Sequence, residues 1–306
     1  MLLPNNIKSS NIEQNNIKSN NSENILAKQF RLGKYSLNLN RPHIMGVLNL
    51  TKDSFYDGGR LYKGDYLDKT AALAHAEQMA EEGAAIIDLG AESTRPGSEP
   101  VDSTEEQDRV LEILETLNSK LQIPISIDTS NPDLIRSAAQ NGASLINDVR
   151  ALTREGALEA ASNSKLPVCL MHIQGEPRTM QERPHYEDVV REVKEYLQTR
   201  RQVAIDAGIP ADKIILDPGF GFGKSFEHNH LLLKNLHQFT SMDSPLLVGL
   251  SRKSFFGEIT GREANGRLAA TIASTAIAVL AGTWLIRVHD VKGNLDALKL
   301  AHCINS

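Results

Sequence analysis

From residue 44 onward the chain repeats one phrase, a short apolar run ending in a polar residue and then a stretch of helical periodicity. The runs are Ile44–Asn49, Ala85–Gly90, Ile125–Asp128, Ser144–Asn147, Pro167–His172, Ile214–Asp217, Leu246–Ser251 and Leu285–His289. Each is a strand candidate. Among the amphipathic stretches between them are Thr70–Glu82, Ser103–Leu117 and Tyr186–Ala207, the last closing on Gly208. Another, Pro132–Gln140, has proline in its first turn and Gly142 past its end, the usual order of helix start and stop signals. Strands alternating with helices imply a parallel sheet covered by helices. Eight such units in 306 residues favour a single closed (β/α)8 TIM barrel over an open doubly wound sheet. No strand–turn–helix carries a dinucleotide fingerprint, and no shift of composition marks a second domain.

Ahead of the first run, Phe30, Leu32, Tyr35, Leu37 and Leu39 alternate around Gly33-Lys34, which predicts a small N-terminal hairpin. Residues 1–28 are crowded with Asn, Ser and Lys. They bury too little to offset their ordering entropy and are expected to form a disordered extension, leaving 29–306 as the barrel domain.

Charge narrows the partners. Lys and Arg total 33 against 38 Asp and Glu, a net −5, which argues against nucleic acid. An anionic ligand must then be held by locally placed cations. Cys169 and Cys303 both lie in apolar stretches and read as small buried residues in a reducing compartment. The start of the chain lacks a secretory pattern, and Thr271–Ile286 is too short and too interrupted to span a bilayer. A cytoplasmic protein without membrane contact is expected.

Polar residues collect where the runs end: Asn49, Asp128, Asn147, Asp217, Ser251, Lys253, Arg287 and His289. One such residue alone could simply cap the next helix, as Asp128-Thr-Ser or Asn131-Pro could. Recurrence from strand to strand favours a shared pocket at the carboxyl rim of the barrel. Asp217-Pro-Gly-Phe-Gly-Phe-Gly-Lys224-Ser225 looks like a phosphate loop, but Pro218 stands where the leading glycine is required. Its glycines suit a tight turn and close backbone approach to a flat ligand. The histidines and cysteines lack zinc-site spacing. Asn49, a weak hard oxygen ligand, suits a Mg2+ that keeps its waters and is otherwise held by substrate phosphates. Two loops, Thr51–Gly59 and Ala91–Gly97, have the make-up of movable lids.

These residues carry a resemblance. Met45-Gly-Val-Leu-Asn-Leu-Thr51, Asp53-Ser-Phe-Tyr-Asp-Gly-Gly59, Glu92-Ser-Thr-Arg-Pro-Gly97, Ser126-Ile-Asp-Thr129, Ile146-Asn-Asp148 and Leu170-Met-His172 occur in order. Asp217-Pro-Gly-Phe-Gly-Phe-Gly-Lys224, Ser251-Arg-Lys-Ser254 and Arg287-Val-His289 follow. The chain resembles the dihydropteroate synthases across residues 43–290. The resemblance implies condensation of 6-hydroxymethyl-7,8-dihydropterin diphosphate with p-aminobenzoate, giving 7,8-dihydropteroate and diphosphate.

It further implies that Asp128, Asn147, Asp217 and Lys253 hold the pterin, with Asn147 and Lys253 meeting ring acceptors and Met171 packing beneath. Catalysis falls to Asp128, Asp217 and Lys253. Arg287, His289 and Thr94 join the pterin diphosphate site, with Mg2+ on Asn49. Phe55, Thr94, Arg95, Pro96, Phe220 and Ser251 frame p-aminobenzoate. Sulfonamide inhibition and a homodimer are implied as well; helix Ala269–Ala281, rich in small residues, suits an interface and a buried barrel helix equally. Lys52 replaces a usual proline, Tyr56 a usual small residue and Ala91 a common glycine; loss of the proline is expected to loosen the open loop and to touch p-aminobenzoate affinity more than reaction class. The Glu263–Gly266 connection looks unremarkable. The rivals are a methyltetrahydrofolate methyltransferase, which needs no diphosphate clamp, and a non-catalytic pterin-binding paralogue.

Overall fold

The computed structural model describes residues 28–51, 61–63, 66–92 and 103–306, with only the backbone at Ser103 and Glu105. The expected extension lies outside the described residues apart from Lys28. The N-terminal hairpin forms as expected from β1 (Gln29–Leu32) and β2 (Tyr35–Asn38), turning at Gly33-Lys34. The first barrel strand is β3 (His43–Asn49), and the two-residue strands β4 (Tyr62–Lys63) and β5 (Tyr66–Leu67) form a small ladder that periodicity did not announce. The chain continues through α1 (Lys69–Glu81), β6 (Ile86–Gly90), α2 (Ser103–Lys120), β7 (Ile125–Asp128), α3 (Pro132–Gln140) and β8 (Leu145–Asp148). Then come α4 (Ala157–Ser164), β9 (Val168–Met171), α5 (Val189–Asp206), β10 (Ile214–Asp217) and α6 (Phe226–Lys234). It ends with β11 (Leu247–Val248), α7 (Phe255–Thr260), α8 (Leu268–Leu280), β12 (Leu285–Val288) and α9 (Val291–Asn305).

All eight apolar runs are parallel barrel strands, paired in the order β10-β9-β8-β7-β6-β3-β12-β11. A parallel bridge between Leu216 and Leu246 joins the two ends and closes the barrel. Because side chains alternate along a strand, each strand serves two cores. Ile44, Ile87, Leu89, Ile127, Ile146, Leu170, Leu216 and Ile286 face the helices. Met45, Ile86, Leu145, Cys169, Ile215, Leu247 and Leu285 fill the barrel interior together with Phe30, Leu32 and Trp284. The hairpin therefore plugs the floor of the barrel, with the Phe30 and Trp284 ring centroids 5.2 Å apart. Two residues further along the same inward faces come Asp88, Asn147, Met171, Asp217 and Arg287. One alternation thus supplies both an apolar plug and a polar rim.

Two local details differ from expectation. Helix α5 begins at Val189 rather than Tyr186, because the Asp188 carboxylate accepts from Val190 N and Arg191 N and caps it there. Tyr186 instead packs inward and donates to Gly223 O at 2.8 Å. Cys169 is buried as expected, but Cys303 is exposed, since it falls on the outer side of the last turns of α9. Among the described residues no helix is long and apolar enough to cross a membrane.

Candidate active site

The strand tips converge. Asn49, Asp128, Asn147, Met171, Asp217, Phe220, Ser251, Lys253, Arg287 and His289 all line one cavity of about 560 Å³ at the carboxyl mouth of the barrel. Phe55, Thr94, Arg95 and Pro96, on the two expected lids, lie outside the described residues.

The charged floor is built around Arg287. Its Nε is 2.7 Å from Asp88 Oδ2 and its Nη2 is 2.7 Å from Asp128 Oδ2. Two acidic neighbours hold the guanidinium above its ordinary range although burial opposes this. Burial pushes the Asp128 carboxyl up to about 7 against the pull of Arg287, with Asp88, Glu92 and Asp148 adding to the rise. Burial likewise raises Asp217 to about 6, although Gly219 N donates to its Oδ1 at 2.8 Å and Lys253 lies near. Lys253 is lowered to about 8, first by burial and then by Arg287. The site therefore holds its charges with little reserve of solvent.

Asn147 is oriented by a buried neighbour. Its Nδ2 donates to Asp88 Oδ2 at 3.0 Å, so the amide nitrogen is turned to the floor and the carbonyl oxygen is the uncommitted end. Burial and Arg287 hold the His289 imidazole down to about 3, so it is neutral and offers a hydrogen bond rather than a charge. Its Nδ1 lies 2.9 Å from Ser251 Oγ, which ties Ser251 to the His289 side of the cavity.

The glycine-rich loop after β10 is shaped by its neighbour. A Cβ on Gly219 (φ +67°) would sit 1.9 Å from His172 O, and one on Gly223 (φ +62°) 2.2 Å from Gln174 O. The close backbone approach is thus to the loop after β9. Lys224 Nζ donates to Gly219 O and Phe222 O at 2.9 Å each and lies 2.9 Å from His172 Nδ1. This ammonium staples the loop and does not face the cavity, in keeping with the rejection of a phosphate loop. Phe220 is almost fully buried and stacks on Phe255, with centroids 6.5 Å apart. The more open ring is Phe222, whose face carries Lys253 Nζ at 4.1 Å.

Sequence reasoning missed several contributors. Asp88 lies inside an apolar strand instead of at its end, and Phe222 sits two residues from the phenylalanine that was chosen. Glu263 and Ala264 belong to the connection judged unremarkable, yet both line the cavity. Arg252 holds that wall: it pairs with Asp290 through two 2.8 Å contacts and donates to Ala264 O and Asn265 O. Asp148, next to Asn147, points out of the barrel. Its carboxylate accepts from Ser130 Oγ, Arg150 N and Leu152 N.

Comparison with known proteins agrees with this geometry. The model of the family described as pterin binding enzyme matches residues 45–289. Dihydropteroate synthase of Escherichia coli K12 is 47% identical over 265 residues, covering 87% of this chain and 92% of that protein. The Haemophilus influenzae enzyme is 47% identical over 264 residues, covering 86% and 94%. The Yersinia pestis dihydropteroate synthase in complex with a sulfonamide drug superposes with TM-score 0.87 at 42% identity, covering 90% of this chain and 99% of that one. The Xanthomonas albilineans enzyme with 4-aminobenzoic acid gives 0.84 at 42% identity, covering 91% and 99%. With motifs, barrel, cavity and relatives in agreement, the chain belongs to the pterin-binding enzyme family and, within it, to the dihydropteroate synthases.

Proposed function

We propose that this cavity joins the two substrates of the family reaction, 6-hydroxymethyl-7,8-dihydropterin diphosphate and p-aminobenzoate, to give 7,8-dihydropteroate and diphosphate. The observation that carries the reading is the convergence of every described candidate residue on one cavity. The pterin lies flat at its floor, its amino and ring N–H groups donating to Asp128 and Asp217, with Met171 packed against the ring. Arg287 and His289 meet the diphosphate. Lys253 supplies a donor to the ring and stays seated over Phe222.

Chemistry then requires charge management more than a base. As the methylene–oxygen bond breaks, positive charge builds on the methylene and spreads into the pterin, where Asp128 and Asp217 offset it. The neutral amine of p-aminobenzoate attacks that carbon, a C–N bond replaces the C–O bond, and the amine proton leaves to solvent. Phe222, half-buried at the cavity wall with Lys253 over one face, is a better platform for the aromatic amine than the core-locked Phe220. Among the described residues no cluster of three or more His, Cys, Asp or Glu side chains could hold a metal by itself. Asn49, at the end of β3 and in the cavity wall, suits a largely hydrated Mg2+ shared with the diphosphate. Such an ion would neutralise the leaving group.

Sulfonamides should act here as competitors of p-aminobenzoate, a reading supported by the sulfonamide complex of the Yersinia relative. Steady-state assays should show the apparent KM for p-aminobenzoate rising linearly with sulfonamide at constant kcat. Turnover indifferent to a large excess of sulfonamide would exclude the shared subsite. A methyl-transferring or non-catalytic pterin barrel would bind pterin but release no diphosphate.

We also infer a cytoplasmic homodimer. Ile277 and Leu280 late in α8, and Leu300 and Ile304 late in α9, leave apolar side chains exposed at one end of adjacent helices. Sedimentation should give twice the mass of the chain, and Ile277→Asp with Ile304→Asp should give the single mass. A monomeric wild-type protein at micromolar concentration would rule this out.

A further inference from the structure

Asp88 is completely buried and does not line the cavity, yet the site is assembled on it. One oxygen, Oδ2, accepts from both Arg287 Nε at 2.7 Å and Asn147 Nδ2 at 3.0 Å. The other, Oδ1, is buried without a hydrogen-bond partner among the described residues, and so is the hydroxyl of Ser126, its neighbour in register on β7. An unsatisfied oxygen on a buried carboxylate is costly. The residues two positions back on the inward faces, such as Ile86, Leu145 and Ile215, show that this interior is otherwise filled with apolar side chains. Stability alone therefore gives no reason for an acid at this point.

We propose that Asp88 is a positioning residue that sets the hydrogen-bonding polarity of the pterin floor, by turning the Asn147 carboxamide oxygen toward the ligand while anchoring Arg287 between pterin and diphosphate. An ionised carboxylate can only accept, so the amide group facing it must be the nitrogen. With one N–H committed to Asp88, Asn147 presents its carboxamide oxygen as an acceptor complementary to a ring N–H or amino donor. The same oxygen fixes one edge of the guanidinium, so pterin recognition and leaving-group stabilisation share a single anchor. This inference rests on the pterin reading of the cavity.

The charge of Asp88 also reaches the ligand carboxylates. Asp128 is faced by Arg287 from β12, Lys253 after β11, Asp88 and Glu92 from β6 and the segment after it, and Asp148 from β8. Removing the Asp88 charge takes away one upward push on Asp128 and leaves Arg287 to serve it alone, and both effects lower its pKa.

The test is Asp88→Asn, near in shape but neutral and able to donate. With wild-type turnover established, kcat/KM for the pterin diphosphate should fall roughly 10- to 100-fold, while KM for p-aminobenzoate at saturating pterin stays within about threefold. The acid limb of the kcat/KM–pH profile should move to lower pH, since the raised Asp128 carboxyl loses the upward push of Asp88 and keeps Arg287. A variant with reduced Tm but an unmoved acid limb would mean that Asp88 is merely structural. Should the variant fail to fold, a neutron crystal structure of the wild-type protein with pterin, which locates the amide hydrogens, decides. Asn147 Nδ2 must then face Asp88 and its oxygen a ring donor, and the opposite orientation overturns the proposal. An inactive wild type would instead strike the functional reading itself.

Discussion

Replacing Arg287 with Met is expected to lower the unfolding free energy by about 3–5 kcal/mol, because two acids are left in the barrel without their shared cation. Asp88 is fully buried and Asp128 partly buried, and each takes a 2.7 Å contact from that one guanidinium. For a barrel of this size the loss corresponds to roughly 10 °C in Tm. The deficit should depend on pH. A carboxyl whose folded pKa is raised above its unfolded value stabilises in acid and loses that contribution as pH rises through the folded value. Without Arg287, Asp128 rises beyond its present value of about 7. Thermal melts should therefore show a smaller deficit at pH 5.5 than at pH 8. Turnover should fall by more than about 1,000-fold at any pH, since the same side chain meets the diphosphate. Arg287→Lys, which keeps the charge but not the fork, should restore more stability than turnover. Equal stability of Arg287→Met and wild type at pH 8 would show that the acids are not coupled through this residue.

Asp217→Ala should weaken the binding of the pterin substrate about 100- to 1000-fold, the loss expected when charge-assisted acceptors are removed from a site with little water to replace them. The side chain is buried at the tip of β10, and Gly219 N engages Oδ1 and leaves Oδ2 for the ligand. Calorimetric titration with the pterin diphosphate measures the loss directly. The fold should survive, because among the described residues no ion pair bridges Asp217 to a second strand and Lys224 still staples the following loop. Pterin affinity within about threefold of wild type would remove Asp217 from the floor.

Much of this was legible because a parallel barrel writes itself twice into a chain. Runs apolar on both faces announce buried strands, and the polar residue ending each run announces the rim. Asn49, Asp128 and Asp217 were recoverable on that ground alone. Side-chain direction was not. Asn147 and Asp148 are adjacent and both polar, but one faces the cavity and the other caps the backbone of the following loop. Asp88 was hidden by lying within its strand, although its spacing of two from inward Ile86 carried the signal. Phe220 and Phe222 share a side of the loop on paper. Only the positive φ of Gly221 between them, in a loop whose flanking Gly219 and Gly223 lie hard against the segment after β9, drives one ring into the core and leaves the other at the mouth. Glu263 and Ala264 join the cavity through Arg252, a contact across the fold that local composition does not register.

The most direct measurement is diphosphate release by the purified protein given 6-hydroxymethyl-7,8-dihydropterin diphosphate and Mg2+, with p-aminobenzoate added or withheld. One cavity joining the two substrates predicts release that requires p-aminobenzoate and matches 7,8-dihydropteroate mole for mole. Absence of release with both substrates present, or release at the same rate without the amine, would contradict it.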